Sequence, residues 1–168
     1  MRTPITKPGF DNIPSVVTIY DTATTVINNA AEATLCEVTI PRNTLGLTDR
    51  IVHMQIQYLA ENSTGSATSI VWRAYYGSSA AVATGSDGWS SSATPRHGIF
   101  SVWLMNMGAV NDQQLILKDE KESHVGNYDR IAQNSNEDLT LKVTVDFNVA
   151  SSSLFIRNFV CIVTQYAP

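Results

Sequence analysis

The sequence predicts an all-β chain: an antiparallel β-sandwich with jelly-roll topology, preceded by an extended N-terminal arm. Three observations predict it. Apolar and polar residues alternate in run after run, most cleanly at 139–147, where Leu139, Leu141, Val143, Val145 and Phe147 fall on one side and Thr140, Lys142, Thr144 and Asp146 on the other. No segment carries a helical period. About eight such runs recur at intervals of roughly 8–20 residues with loops of uneven length, a spacing that suits two packed sheets with jelly-roll connections better than a closed barrel. An immunoglobulin order of Cys, Trp, Cys is formally present, but Cys36 and Cys161 lie too far apart to support that fold.

The chain has 168 residues, enough for one sandwich domain at 16–168 with the arm at 1–15. The arm, MRTPITKPGFDNIPS, holds three of the six prolines, which exclude a regular helix or central strand, and it carries Ile5, Phe10 and Ile13 as apolar anchors. A short strand follows at 16–20. The pair of runs at 33–40 and 50–59 is joined by the corner PRNTLGL, in which Pro41 closes the first strand and Asn43 and Gly46 suit turn conformations. Val52, Met54, Ile56 and Tyr58 then share one face.

After the polar turn at 61–68, Ile70, Trp72, Ala74 and Tyr76 line one face of a strand that ends at Gly77. The small-residue stretch 78–95 reads as a long loop holding Trp89, with a short strand near 80–84. The run 96–107 is apolar on both sides, with Phe100, Val102 and Leu104 on one and Ile99, Trp103 and Met105 on the other. A sandwich core covers only one of those sides, so the second is expected at a contact with a loop or another subunit. A strand at 113–118 leads into the charged segment 118–138, read as a solvated loop or hairpin end, and a long strand at 154–165 closes the fold.

Composition narrows the function. Hydrophobic residues make up 43% and charged residues 15%, with a net charge of −4 and a pI near 5.2. An acidic chain with no basic face is not expected to bind nucleic acid. No apolar run approaches the roughly 20 residues of a membrane span, and the first residues lack the apolar core of a secretory signal, so the expected setting of synthesis is the cytoplasm. Sparse charge on a β-chain points to surfaces shared with neighbours. Cys36 and Cys161 are expected as buried free thiols.

Searching for chemistry returns nothing specific. His53, His97 and His124 are each isolated, with no HxH or HxxxH pair, so no metal site or cofactor is expected. The serines occur in loop runs without a GxSxG turn. The acids Asp119, Glu120 and Glu122, and Glu137 with Asp138, are adjacent residues of a charged segment rather than facing carboxylates. The chain is expected not to be an enzyme.

The central stretch resembles the β-sandwich virion structural proteins of tailed bacteriophages, of the capsid decoration (cement) or fibre-head type. The residues that carry the resemblance are Thr34, Leu35, Thr39, Ile40, Pro41, Asn43, Thr44, Leu45 and Gly46, followed by the alternating run 50–58 and the strand 70–77 with its aromatic–glycine end. The resemblance covers about the middle third of the chain, and the loops at 78–95 and 118–138 depart from it.

It implies a non-enzymatic virion protein, made in the host bacterial cytoplasm and often trimeric. On that reading the protein is expected to be a cement protein that binds the major capsid protein or another virion protein as a homotrimer, using the arm (Ile5, Phe10, Ile13) and the second face of the doubly apolar strand (Ile99, Trp103, Met105). The alternative is a receptor-binding head or tail-fibre module recognising host surface glycan, with Tyr75 and Trp89 as ligand contacts.

Overall fold

The computed structural model describes residues 18–20, 26–27, 30–45, 51–83, 87–119, 127–148 and 154–166; the strands at 18–20, 26–27, 87–89 and 154–166 are defined by backbone pairing. They form twelve strands: β1 (Thr18–Tyr20), β2 (Val26–Ile27), β3 (Ala33–Ile40), β4 (Ile51–Asn62), β5 (Thr68–Tyr76), β6 (Val82–Ala83), β7 (Asp87–Trp89), β8 (Ser92–Ala109), β9 (Asp112–Asp119), β10 (Asn127–Ile131), β11 (Leu139–Phe147) and β12 (Leu154–Tyr166). The described residues contain no helix.

Two antiparallel sheets share these strands. The large one runs β1–β12–β4–β8–β9–β10, with β2 also beside β12, and the small one runs β3–β11–β5–β6, with β7 also beside β5. The chain passes from one sheet to the other between β2 and β3, β3 and β4, β4 and β5, β7 and β8, β10 and β11, and β11 and β12, while the first strand pairs with the last and β3 with the penultimate one. That nesting is the jelly-roll connection, with β9 and β10 added to one edge of the large sheet.

The inner faces follow the alternation of the sequence. Val52, Met54, Ile56 and Tyr58 of β4 and Phe100, Val102 and Leu104 of β8 meet Trp72 and Tyr76 of β5 and Leu141, Val143, Val145 and Phe147 of β11, all buried. Trp72 clasps the layers together: its ring stacks on Phe100 at 4.4 Å and 11°, and it packs against Tyr58 at 5.0 Å. Aromatic pairs of this kind add about 0.5–1.5 kcal/mol each beyond the area they bury.

Three features break simple alternation, each for a local reason. Leu35 and Cys36 are adjacent and both buried, because the register with β11 shifts between Val143 and Thr144 and turns one extra residue of β3 inward. Cys36 shares that buried face with Val38 and Ile40 and is a free thiol, while Cys161 stands in the other sheet opposite Ile56.

The second feature is the start of β8. It lies at Ser92 rather than at 96, because the register shift between Ala60 and Asn62 lets residues 93–95 bulge out. Pro95, which has no N–H to give a ladder, sits in that irregularity, where a strand tolerates it. The expected loop at 78–95 also contains β6, close to the short strand anticipated there, and β7.

The third feature is β10, which lies inside the segment read as a solvated loop. Its first four residues are all exposed, as on an edge strand, so it has no apolar period to detect. Arg130 Nε donates to Asp112 Oδ1 at 2.7 Å and its second nitrogen reaches Oδ2, clipping β10 to β9.

The PRNTLG corner behaves as its residues suggest. Asn43 takes φ +63°, the left-handed region that Asn enters more readily than most residues, and Leu45 plugs the core at 1% exposure. The Asn43 amide donates to the Ser135 carbonyl at 2.9 Å, and the Arg42 amide to Asp138 Oδ1 at 2.7 Å.

Candidate functional site

The two outer faces of the sandwich differ in kind. On the small sheet, Arg73 Nη1 lies 2.6 Å from Asp146 Oδ2 and 3.6 Å from Glu32 Oε2. Tyr75 Oη donates to Glu32 Oε1 at 2.5 Å, Thr144 Oγ1 donates to the same oxygen at 2.7 Å, and Lys142 Nζ sits 4.5 Å from the centre of the Tyr75 ring. The hydroxyls of Tyr75 and Thr144 hold the Glu32 carboxyl below the ordinary glutamate range, with Arg73 and Lys142 adding to the effect. Burial, then the Glu32 bond, pushes the Tyr75 phenol up. Cations and anions on this face satisfy one another.

The outer face of the large sheet carries the Arg130–Asp112 pair at its β9–β10 edge. Opposed residues of neighbouring strands share a face, so its outward side chains line up in rows across β4, β8, β9 and β10. One row is His53, Trp103, Ile116 and Tyr128, each directly opposite the next. His53 and Trp103 stack with ring centroids 4.9 Å apart and planes 3° from parallel. At the far end Tyr128 is 68% exposed. The row crosses three inter-strand gaps, about 14 Å.

The row beside it is Ile51, Met105, Gln114 and Arg130, with Met107, 47% exposed, further along β8. On the other side come Gln55, Ser101 and Lys118, and then Gln57 opposite Ile99.

Where that last pair lies the face dips into a depression of about 480 Å³ lined by Gln57, Tyr58, His97, Gly98 and Ile99. Tyr58 is buried, and a Cβ at Gly98 would overlap its Cζ, Cε1 and hydroxyl, so this position of β8 has to be glycine. The Tyr58 hydroxyl continues to Asp119, bonding its carboxylate oxygens at 2.9 and 3.2 Å. On the neighbouring strand the register shifts between Asn158 and Val160, opposite Tyr58 and Gln57, which places a β-bulge beside the depression.

The structure brings Ile99, Trp103 and Met105 together on one half-buried outer face, as the two-sided pattern of their strand implies. Ile5, Phe10 and Ile13 lie outside the described residues. Tyr75 is on the opposite side of the sandwich. Trp89 pairs with Thr68, seven residues along β5 from Tyr75, or about 23 Å, so these two do not form one site; the Trp89 side chain lies outside the described residues. His53 joins the aromatic row and His97 rims the depression, while His124 lies outside the described residues. Among the described residues no group of three or more His, Cys, Asp or Glu is placed to hold a metal ion.

Sequence reasoning missed Ile116 and Tyr128 as site residues. Ile116 was readable as an outward residue of its strand, but nothing in a charged segment marked Tyr128 as the end of a row. That depends on the register of β10 against β9.

No family model matches the chain, and no curated protein matches its sequence. Among solved structures, lectin I-B4 from Griffonia simplicifolia in its metal-free form is similar at 7% identity and a TM-score of 0.39, over 94% of this chain and 96% of that one. The CBM2 module of the evolved Dit of Lactobacillus casei BL23 phage J-1 is similar at 10% identity and a TM-score of 0.39, over 94% and 92%. At these levels the comparison is one of architecture alone, and what the site binds has to come from its own residues.

Proposed function

We propose that the chain is a non-enzymatic binding module of a tailed-phage virion, and that the outer face of its large sheet recognises host surface glycan. The virion setting rests on the resemblance of the 34–58 stretch. The binding reading is carried by one observation, the row His53–Trp103–Ile116–Tyr128 on a sheet face over which no other described strand is layered.

A sugar ring presents C–H groups on its faces and hydroxyls around its rim. It therefore takes a flat apolar or aromatic surface beneath it and, beside it, groups that both donate and accept hydrogen bonds. The row supplies the first, and the carboxamides of Gln55 and Gln114 on the same face supply the second. The opposite face, with its charges already paired, offers less. The test is a glycan array probed with the whole chain: binding to a class of bacterial surface saccharides, weakened by Tyr128→Ala, is expected. An array on which no saccharide binds would overturn the glycan reading.

A second reading has its own observation. Met107, Met105 and Trp103 follow one another on the outer side of β8, with Ile99 beyond Ser101, and methionine-rich surfaces adapt well to a protein partner. On this reading the module is a capsid cement protein, a homotrimer seated on the major capsid protein, with the arm at 1–15 as a second anchor. Hundreds of copies in purified virions, and loss of capsid binding on removing residues 1–14 from a domain that stays folded, are its expected results. A few dozen copies or fewer would point back to a fibre or tail module.

A further inference from the structure

The depression beside Ile99 has features that the aromatic row does not use. It lies on the same outer face, about 13 Å along β8 from Trp103, counting four residues of extended strand. Its volume of about 480 Å³ falls within the roughly 300–1,000 Å³ of small-molecule sites. A β-bulge in β12 lies beside it, and bulges occur preferentially next to binding sites, where they re-aim side chains. Its described lining holds a carboxamide at Gln57, an imidazole at His97 and an aliphatic side chain at Ile99, with no carboxylate, ammonium or guanidinium among the described residues that form it. A fixed charge on a ligand would find no ion partner among these described residues, whereas hydroxyls would find a donor and acceptor at Gln57 and a ring C–H face would find Ile99.

We infer that this depression is a second sugar subsite, one that takes a neutral, uncharged sugar ring of a saccharide whose other end lies on the aromatic row. The inference rests on the glycan reading above and adds to it a position and a ligand class. A saccharide long enough to reach from Trp103 to Ile99 engages both places, and a disaccharide engages the row alone.

The experiment titrates the whole chain by calorimetry with neutral di- and tetrasaccharides of glucose, galactose and N-acetylglucosamine, and with a uronic-acid tetrasaccharide. Wild type is compared with Gln57→Ala, His97→Ala and Tyr128→Ala, and a melting curve of each variant confirms that it is folded. For a neutral tetrasaccharide, Gln57→Ala and His97→Ala are each expected to weaken binding about 5-fold, the scale of one lost neutral hydrogen bond. Neither is expected to change disaccharide binding, whereas Tyr128→Ala weakens both. If Tyr128→Ala weakens tetrasaccharide binding while Gln57→Ala and His97→Ala leave it unchanged, the subsite is overturned and the glycan reading stands. Tighter binding of the uronic-acid tetrasaccharide overturns the neutral-ligand assignment. If none of the saccharides binds, the subsite and the glycan reading fall together.

Discussion

The hydroxyl of Tyr58 on β4 reaches Asp119 on β9 by passing over Gly98, the residue of β8 that lies between them. It bonds the carboxylate oxygens at 2.9 and 3.2 Å. Three strands of the large sheet are tied at this point, beside the depression and under the Trp72–Phe100 stack. The tie demands a residue without a side chain in the middle strand.

Gly98→Ala is therefore expected to destabilise the domain, although alanine is normally the better strand residue. The new methyl group overlaps a buried phenol, and overpacking of this kind costs about 1–3 kcal/mol. Urea denaturation should show a lower midpoint with an unchanged slope. In the background of Tyr58→Ala, which removes the ring from that space, the further cost of Gly98→Ala should disappear.

Acidification tests the network on the small sheet. The Glu32 carboxyl is held below the ordinary glutamate value, first by Tyr75 and then by Thr144, so the folded state binds its proton less readily than the unfolded chain does. The contribution is present in full above the unfolded value of about 4.3 and is lost as pH falls through the lower folded one. Because Glu32 is more than a third exposed, its share is about 0.5–1 kcal/mol. Glu32→Gln should lower stability by that amount at pH 7 and by almost nothing once the pH is well below about 4, as read from thermal melts across the range.

Alkaline titration tests the core. Burial pushes the Tyr76 phenol up to about 12 from its ordinary value of 10.0. The folded state keeps this proton better than the unfolded chain, so its advantage is complete below about pH 10 and is lost as pH rises toward the folded value, a loss of roughly 2–3 kcal/mol. Ultraviolet titration should show a tyrosine that ionises only with unfolding, and Tyr76→Phe should remove that step.

Tyr128→Ala and Tyr75→Phe separate the two outer faces. Tyr128 is 68% exposed at the end of the aromatic row, so its removal should leave the melting temperature within about 1 °C of wild type, as for surface substitutions in general. On the glycan reading the same change weakens saccharide binding. Tyr75→Phe deletes the bond to Glu32 on the other face and should cost about 0.5–1.5 kcal/mol of stability with no effect on binding. A reversed result, with binding lost only in Tyr75→Phe, would move the contact to the small sheet.

Much of the fold could be read from residues whose meaning is local. The alternation of 139–147 became β11, with its apolar residues buried but for half-buried Leu139, and the two-sided run 96–107 became most of a strand with one face in the core and one outside. Asn43 entered the left-handed region as the corner motif suggests. Such features depend on side-chain period and turn chemistry, which act between near neighbours and are written along the chain.

The tertiary structure decided what depends on register between distant strands. Pairing of β8 with β9 and of β9 with β10 puts Trp103, Ile116 and Tyr128 in one row, although Tyr128 lies 25 residues beyond Trp103 in a charged segment. Pairing of β4 with β8 sets Gly98 under Tyr58 and Gln57 beside Ile99. A one-residue slip in any of these ladders would send each side chain to the other face, and no local pattern encodes which distant residue stands opposite. By itself, then, the sequence determined the strands, the corner and the presence of a second apolar face; packing of the two sheets decided which side chains that face brings together.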